Sequence, residues 1–171
     1  MIHCFCLYRG DIWVGTDRGL FRYDIRSKKC KLYSSQDGNI NSLTQNYITD
    51  LAITQNQELV VATLKGLNFY NPATDDFVRL EKSVYTSEYL NRSSFINCLL
   101  VDGPILWIGT EISGMDKMES RNLKLRLYTN NRYDPNSLAE NPVNSIFEDS
   151  YGNLWVGNVE QGLGLRKKDT D

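Results

Sequence analysis

The chain has 171 residues, of which 41% are hydrophobic and 23% are charged, and its formal net charge is −2. This is ordinary for a globular protein, and with no basic cluster it argues against nucleic acid or an anionic membrane surface as a partner. The chain contains no run of about 18 apolar residues that could cross a bilayer, and its first residues do not have the pattern of a signal peptide. Any export signal is therefore expected to lie outside this chain, and we expect no membrane contact by this segment.

Short runs rich in Val, Ile, Tyr, Phe and Trp follow one another along the chain, separated by turns. In the first part of the sequence they predict strands near 2–8, 12–16, 20–24 and 30–34. Similar series begin again near residues 47, 95 and 143. Because these residue types favour strands and no long helical period is visible, the chain is predicted to be all-β.

One phrase of the sequence occurs four times, as IWVGTDRGLF, LVVATLKGLN, LWIGTEISGM and LWVGNVEQGL. The second residue of each copy serves as an anchor, and the four anchors, which are 47, 47 and 48 residues apart, are Trp13, Val60, Trp107 and Trp155. Four short strands in about 47 residues are typical of a β-propeller blade. The predicted blades, within a single domain over 1–171, are about 1–34, about 47–82, about 95–129 and an incomplete fourth at about 143–168.

The second strand of each blade carries the repeated Trp and Gly. Because this strand lies inside the blade, both of its alternating rows are expected to be buried. Gly109 and its counterparts should leave space for an adjacent sheet to approach. The three tryptophans are therefore predicted to be core residues and not a platform for carbohydrate.

The cysteines do not have the spacing of a zinc site, since Cys4 and Cys6 are too close together and no paired C-x-x-C occurs. We expect no metal and no cofactor. Nine residues before the four anchors stand Cys4, Leu51, Cys98 and Ile146. Cysteine is thus predicted to replace Leu and Ile at one inward position, as a small hydrophobe.

A catalytic site is not predicted. His3 is the single histidine, no nucleophile elbow is present, and the acidic residues are scattered, whereas a glycosidase needs two carboxylates about 5–10 Å apart. Asp17, Glu111 and Glu160 occupy comparable turns and are interpreted as solvated residues, with an acidic arc as the alternative. The segment is therefore expected to be non-catalytic.

Residues 136–164, NSLAENPVNSIFEDSYGNLWVGNVEQGLG, and residues 12–24, IWVGTDRGLFRYD, together resemble the two-component regulator propeller repeat. Departures from the pattern are Val60, Ala62 and Asn158. The resemblance implies a periplasmic sensor of a hybrid two-component histidine kinase, as in Bacteroides-type bacteria, with the parent protein anchored in the inner membrane. It also implies that glycan-derived oligosaccharides are sensed and that the signal passes to a kinase.

Sugar binding uses exposed aromatic rings beside polar groups. The candidate ligand-binding residues lie in the two inter-blade loops that depart most from the repeat, and they are Tyr85, Tyr89, Arg92, Arg132 and Tyr133. Packing of these loops against the blade edge is the alternative. At the level of the whole chain, the alternatives are a protein–protein interaction propeller without a small ligand and, less favoured, a propeller lyase or glycosidase.

Three complete blades and three strands of a fourth predict a partial ring, and hence a piece of a larger sensor or a shortened reading frame. An incomplete ring leaves apolar blade faces uncovered, and such faces usually find partners. We therefore expect the chain to associate with itself, as a homodimer.

Overall fold

The computed structural model describes residues 1–80, 95–119 and 124–168. No helix is found in these ranges, and so none that could span a membrane. The strands of the described ranges are β1 (Ile2–Tyr8), β2 (Asp11–Thr16), β3 (Gly19–Asp24), β4 (Cys30–Tyr33), β5 (Ile48–Ile53), β6 (Leu59–Thr63), β7 (Gly66–Asn71), β8 (Asp76–Arg79), β9 (Ile96–Asp102), β10 (Ile105–Thr110), β11 (Met115–Glu119), β12 (Lys124–Tyr128), β13 (Val143–Glu148), β14 (Leu154–Asn158) and β15 (Leu163–Arg166).

The strands form four antiparallel sheets in which each strand pairs with its neighbours in the chain. Sheet 1 contains β1 to β4, sheet 2 contains β5 to β8, sheet 3 contains β9 to β12, and sheet 4 contains β13 to β15. The prediction of an all-β fold built from four-stranded antiparallel propeller blades is confirmed. As predicted, the fourth sheet has three strands in the part of the chain that the structure describes.

The chain divides into two compact units, Met1–Glu81 with sheets 1 and 2 and Lys82–Asp171 with sheets 3 and 4. In each unit the core lies between the two sheets. The buried core of the first unit includes Trp13, Leu20, Tyr33, Leu43, Ile48, Leu59, Val61, Tyr70 and Phe77. That of the second includes Cys98, Trp107, Met115, Val143, Ile146, Leu154 and Val156. That residues 1–171 form a single domain stays a prediction.

Burial of the second strand differs among the sheets. Every residue of β6 is buried, and so is almost all of β10, as predicted. In β2, however, Ile12 and Val14 are only half-buried, because their face of sheet 1 is uncovered. Trp155 is half-buried for the same reason in sheet 4. The prediction that both rows are buried in every blade is therefore wrong for the first and last sheets, and of the three tryptophans only Trp13 and Trp107 are fully buried.

The prediction that Cys4, Leu51, Cys98 and Ile146 occupy one equivalent inward position is also wrong in part. Cys4 and Cys98 lie opposite Gly15 and Gly109, but Leu51 and Ile146 lie opposite valines one position earlier on the partner strand. The hairpin turns at 54–58 and 149–153 are longer than those of sheets 1 and 3, and a shift of one residue moves a strand side chain to the other face. Cysteine therefore does not replace Leu and Ile, although Cys98 is buried and Cys4 packs against the core.

Gly15 and Gly109 allow two strands to approach closely. A Cβ on Gly109 would lie 2.5 Å from the Cys98 sulfur and 2.7 Å from Val143 Cγ1, and a Cβ on Gly15 would be equally close to Cys4 and Ile48. Ile48 and Val143 belong to the first strand of the next sheet in the same unit. The repeated glycine therefore makes room for the neighbouring sheet, as expected.

The inter-sheet loops at 34–47 and 129–142 share one hydrogen-bond pattern. The Ser42 hydroxyl accepts from the Gln36 amide and donates to the Asn39 carbonyl, and Ser137 does the same with Asn131 and Asp134. The serine of each NSL sequence thus satisfies the backbone of its own turn. This supports a structural role for the motif.

Candidate functional site

A cavity of about 120 Å³ lies between sheets 1 and 2 of the first unit. Its residues come from the β1–β2 turn, the middle of sheet 1 and the end of β7, and they are Tyr8, Arg9, Asp11, Trp13, Arg22, Tyr70 and Pro72. Aromatic rings, two guanidinium groups and a carboxylate thus surround a single concave space.

The β1–β2 turn places Arg9 at this cavity. Tyr8 and Asp11 are paired across the hairpin, so the turn has two residues, Arg9 and Gly10, with φ of 51° and 84°. Two-residue turns with both φ values positive match the twist of the flanking strands, but a non-glycine residue is uncommon there. The Tyr8 hydroxyl donates to the Gln57 carbonyl, which fixes the base of the turn to sheet 2.

Aromatic side chains form the apolar part of the cavity. The Trp13 and Tyr70 ring centroids are 4.7 Å apart with an interplanar angle of 61°, and Tyr8 meets Trp13 edge-on at 6.1 Å. Tyr8 and Trp13 are buried. Such edge-to-face pairs add to the free energy of burial and hold the rings in a defined orientation.

Arg22 crosses from sheet 1 to sheet 2 beside these rings. Its Nε donates to Asp11 Oδ2 at 2.6 Å, its Nη1 donates to the Tyr70 hydroxyl at 3.3 Å, and its guanidinium lies 5.6 Å from the Trp13 ring centroid. Burial acts to lower the pKa of Arg22, but the hydrogen bonds to Asp11 and Tyr33 and the negative charge of Asp11 together outweigh it and raise that pKa. Arg22 is therefore a fixed cation with one face on an aromatic ring.

Asp75, in the β7–β8 turn, joins the two sheets next to the cavity. Its Oδ1 accepts hydrogen bonds from the Tyr33 and Tyr70 hydroxyls at 2.5 and 2.6 Å, and its Oδ2 accepts from Lys31 Nζ. Burial acts to raise the pKa of Asp75, but these three donors lower it to about 2. Asp75 is thus a carboxylate at neutral pH, held by donors from both sheets.

The indole nitrogens of Trp13 and Trp155 differ in their partners. Trp155 Nε1 donates to Asp149 Oδ2 at 2.9 Å, whereas Trp13 Nε1 is buried without a hydrogen-bond partner among the described residues. The strand pairing places Tyr8 of sheet 1 at the position that Asp149 occupies in sheet 4. The Tyr8 phenol, which donates to Gln57, thus stands in sheet 1 where sheet 4 has the acceptor of its indole.

The cavity lining carries a net positive charge of one, from two arginines and one aspartate. Asp11 is paired with Arg22, and within the described part of the chain no carboxylate is bonded to Arg9. The Arg9 guanidinium instead lies 5.5 Å from the Tyr8 ring centroid and is exposed. The site therefore presents one unneutralised cation to solvent.

Of the ligand-binding residues predicted from the sequence, Tyr85, Tyr89 and Arg92 lie outside the described residues. Arg132 and Tyr133 are exposed in the 129–142 loop of the second unit, with Tyr133 at 86% exposure. The lining of the cavity comes entirely from the first unit. A ligand-binding role for the five predicted residues stays a prediction.

No contact between the three acidic turn residues is found in the described part of the chain, and Asp17 is paired with the N-terminal ammonium. Asp17, Glu111 and Glu160 are all exposed, and Glu111 accepts a hydrogen bond from Asn97 Nδ2 at 2.8 Å. These contacts are those of ordinary turn residues, in agreement with their interpretation as solvated groups.

Sequence reasoning missed the cavity, although two signals were available. The YRGD turn has an arginine where a hairpin favours Asn, Asp or Gly. Arg22 is two residues beyond the buried Leu20 and so belongs to the row that faces sheet 2. Neither signal identifies the partner residues on sheet 2, because these lie nearly 50 positions away in the chain.

Comparison with known proteins finds similarity to propeller domains of two-component systems. Residues 137–160 match the family described as Two component regulator propeller. Histidine kinase P4 of Formosa agariphila is 31% identical over 155 residues, which covers 89% of this chain and 11% of that protein. The extracellular domain of BT3049 of B. thetaiotaomicron, named as a hybrid two component system, has a TM-score of 0.75 at 22% identity, covering 94% of this chain and 21% of that one. The extracellular domain of BT4673, similarly named and from the same organism, has a TM-score of 0.60 at 21% identity, covering 96% of this chain and 27% of that one.

The resemblance predicted from the repeat is thus confirmed. The two solved structures are less than 25% identical to the chain and support the propeller fold. The chain spans about a tenth of the length of the curated kinase that it matches.

Proposed function

Because this chain carries a two-component regulator propeller repeat, we propose that it forms part of the periplasmic sensor region of a hybrid two-component histidine kinase. The observation that carries this proposal is the 31% identity to a histidine kinase over 155 residues. In this role the segment itself is non-catalytic. It binds a ligand and passes the signal to a kinase located elsewhere in the parent protein.

The ligand class that we propose is a glycan-derived oligosaccharide. The first unit supports this with aromatic rings beside guanidinium and carboxylate groups, the combination with which proteins bind sugars. The rings provide apolar surface and the charged groups provide directed hydrogen bonds. The exposed Arg132 and Tyr133 in the 129–142 loop offer a second surface of the same chemistry.

A thermal-shift screen of the full chain against oligosaccharides from plant, algal and animal glycans tests the proposal. A ligand at 100 times its dissociation constant stabilises the folded state by about 2.7 kcal/mol, which raises Tm by several degrees. Stabilisation by one glycan class and not by unrelated sugars is the expected result. If no oligosaccharide shifts Tm while a protein partner does, the chain is an interaction propeller without a small ligand.

We also propose that the chain associates with itself through its two uncovered sheet faces. Phe5 and Leu7 are exposed by 75% and 62%, at the positions where Leu51 and Ile53 of sheet 2 pack against sheet 1. On sheet 4, the positions that sheet 1 uses to pack against sheet 2 are occupied by the exposed Phe147 and Leu163 and by the half-buried Trp155. The two faces are thus the two halves of a blade–blade contact, which sheet 4 of one copy and sheet 1 of another can form.

A further inference from the structure

We propose that the cavity between sheets 1 and 2 binds the carboxylate group of an acidic sugar residue. This inference rests on the proposed function and adds to it the charge of the ligand and the place where it binds.

The unused polar group nearest the rings is a hydrogen-bond donor. Trp13 Nε1 is buried without a partner among the described residues, and the Trp13 side chain, which is 1% exposed, lines the cavity. Arg22, by contrast, already donates to Asp11 and to the Tyr70 hydroxyl, and it also interacts with the Tyr33 hydroxyl. A buried donor without a partner costs free energy, so a ligand group that accepts hydrogen bonds is favoured here.

Arg9 adds the charge that selects an anion. Its guanidinium is stacked on the Tyr8 ring, and no described carboxylate neutralises it. A carboxylate that accepts from Arg9 forms a charge-assisted hydrogen bond, about twice as strong as a neutral one.

The size of the cavity limits what can enter. A volume of about 120 Å³ is smaller than the roughly 150 Å³ of an apolar cavity that holds a single benzene ring. That is enough for a carboxylate and its carbon but not for a whole sugar ring. The sugar ring therefore stays outside the cavity while its carboxylate enters.

Calorimetric titration of the full chain with a uronic acid oligosaccharide, its methyl ester, a neutral oligosaccharide of equal length and acetate tests the inference. We expect the uronate to bind at least tenfold more tightly than its ester, the neutral sugar or acetate. Arg9→Gln should weaken uronate binding by about tenfold or more and Arg9→Lys by less, because lysine keeps the charge. Arg18→Gln, in an exposed turn at the other end of sheet 1, is the matched control and should bind as the unaltered chain does.

Trp13→Phe provides a second measurement, because it removes the indole N–H and keeps an aromatic ring. We expect it to weaken uronate binding by about fivefold, and the indole proton assigned with this variant should shift in the NMR spectrum when uronate binds. Equal binding of the uronate and its ester, or full affinity in Arg9→Gln, would overturn the inference and leave the proposed function standing. Acetate binding as tight as uronate binding would overturn the assignment to a sugar, and no binding of any oligosaccharide would overturn both.

Discussion

The Tyr33 hydroxyl, at the end of sheet 1, lies 2.5 Å from Oδ1 of Asp75, in a turn of sheet 2. The two residues are 42 positions apart in the chain. Tyr70 of sheet 2 donates to the same oxygen, so this carboxylate links the two sheets at the edge of their contact.

Asp75→Asn is expected to destabilise the chain. It removes the charge that accepts from Lys31, Tyr33 and Tyr70 but keeps a residue that tolerates the φ of 57° at this position. A loss of about 1–2 kcal/mol is expected, because hydrogen bonds to a charged group are worth about 1.5–3 kcal/mol and the Asp75 side chain is partly exposed. Urea denaturation measures the change, with the exposed Asp37→Asn as control; an equal loss in both variants would contradict the role of Asp75.

Gly109→Ala is expected to destabilise the second unit by about 1–3 kcal/mol, as overpacking does. The new Cβ would lie 2.5 Å from the Cys98 sulfur and 2.7 Å from Val143 Cγ1. Gly164→Ala is the matched control, since its nearest neighbour would be at 3.7 Å. The thermal midpoint of each variant is the measurement, and adding Cys98→Ala to Gly109→Ala should recover part of the loss. If the thermal midpoint of Gly109→Ala equals that of Gly164→Ala, a Cβ fits between Gly109 and its neighbours without strain, and the prediction is wrong.

Asp116→Asn is expected to stabilise the chain at neutral pH but not at pH 4. Burial raises the pKa of Asp116 to about 7, and its Oδ1 has no hydrogen-bond partner in the described ranges. The carboxyl of the unfolded chain titrates near its ordinary pKa of 3.8, so between about pH 4 and pH 7 the folded state holds a proton that the unfolded state has lost. Stability therefore falls as pH rises, by at most about 1.4 kcal/mol per pH unit, and the loss is complete above pH 7.

The asparagine at the equivalent position of sheet 2 supports this choice of variant. Asn68 pairs with Val61 as Asp116 pairs with Ile108, and it is fully buried with hydrogen bonds to Thr44 and the Val61 carbonyl. Urea denaturation of both proteins from pH 4 to pH 8 measures the difference. Parallel pH profiles would mean that Asp116 is ionised in the folded state throughout this range.

Phe5→Lys is expected to shift the chain towards the monomer. Phe5 is the most exposed aromatic side chain on the uncovered face of sheet 1, and a charge there would have to be buried when two copies meet. Sedimentation equilibrium measures the change. Tyr151→Lys is the control, because Tyr151 is 81% exposed in a turn and outside both sheet faces. An unaltered chain that is monomeric at every concentration would refute the proposed self-association.

Alkylation by iodoacetamide at pH 8 is expected to reach Cys30 first. Cys30 is exposed, whereas burial raises the pKa of Cys4 to about 12 and that of Cys6 to about 11. The thiolate is the reactive form, so a raised pKa and burial both slow the reaction. Mass spectrometry of timed samples, with Cys30→Ser as control, measures the order; rapid modification of Cys4 in the folded chain would contradict it.

The repeat period, the strand order and the sheet type could all be predicted from the sequence, because they depend on local patterns. Turn residues and alternation within about 47 positions specify each sheet, and the close approach at Gly15 and Gly109 follows from comparing copies. The repeat period could not predict which residues of the first strands are equivalent in space. It compares distances along the chain, whereas the face of a side chain depends on how the strands pair. The longer turns at 54–58 and 149–153 shift Leu51 and Ile146 to the opposite face from Cys4 and Cys98.

By itself the sequence determined that this chain is a series of propeller blades, because each blade repeats the same local requirements for turns and packing. Only the tertiary structure decided which polar groups meet between sheets 1 and 2. Arg22 and Tyr70, like Tyr33 and Asp75, are separated by more than 40 positions and belong to different repeats. No local pattern pairs them, because their contact exists only once one sheet has packed against the next.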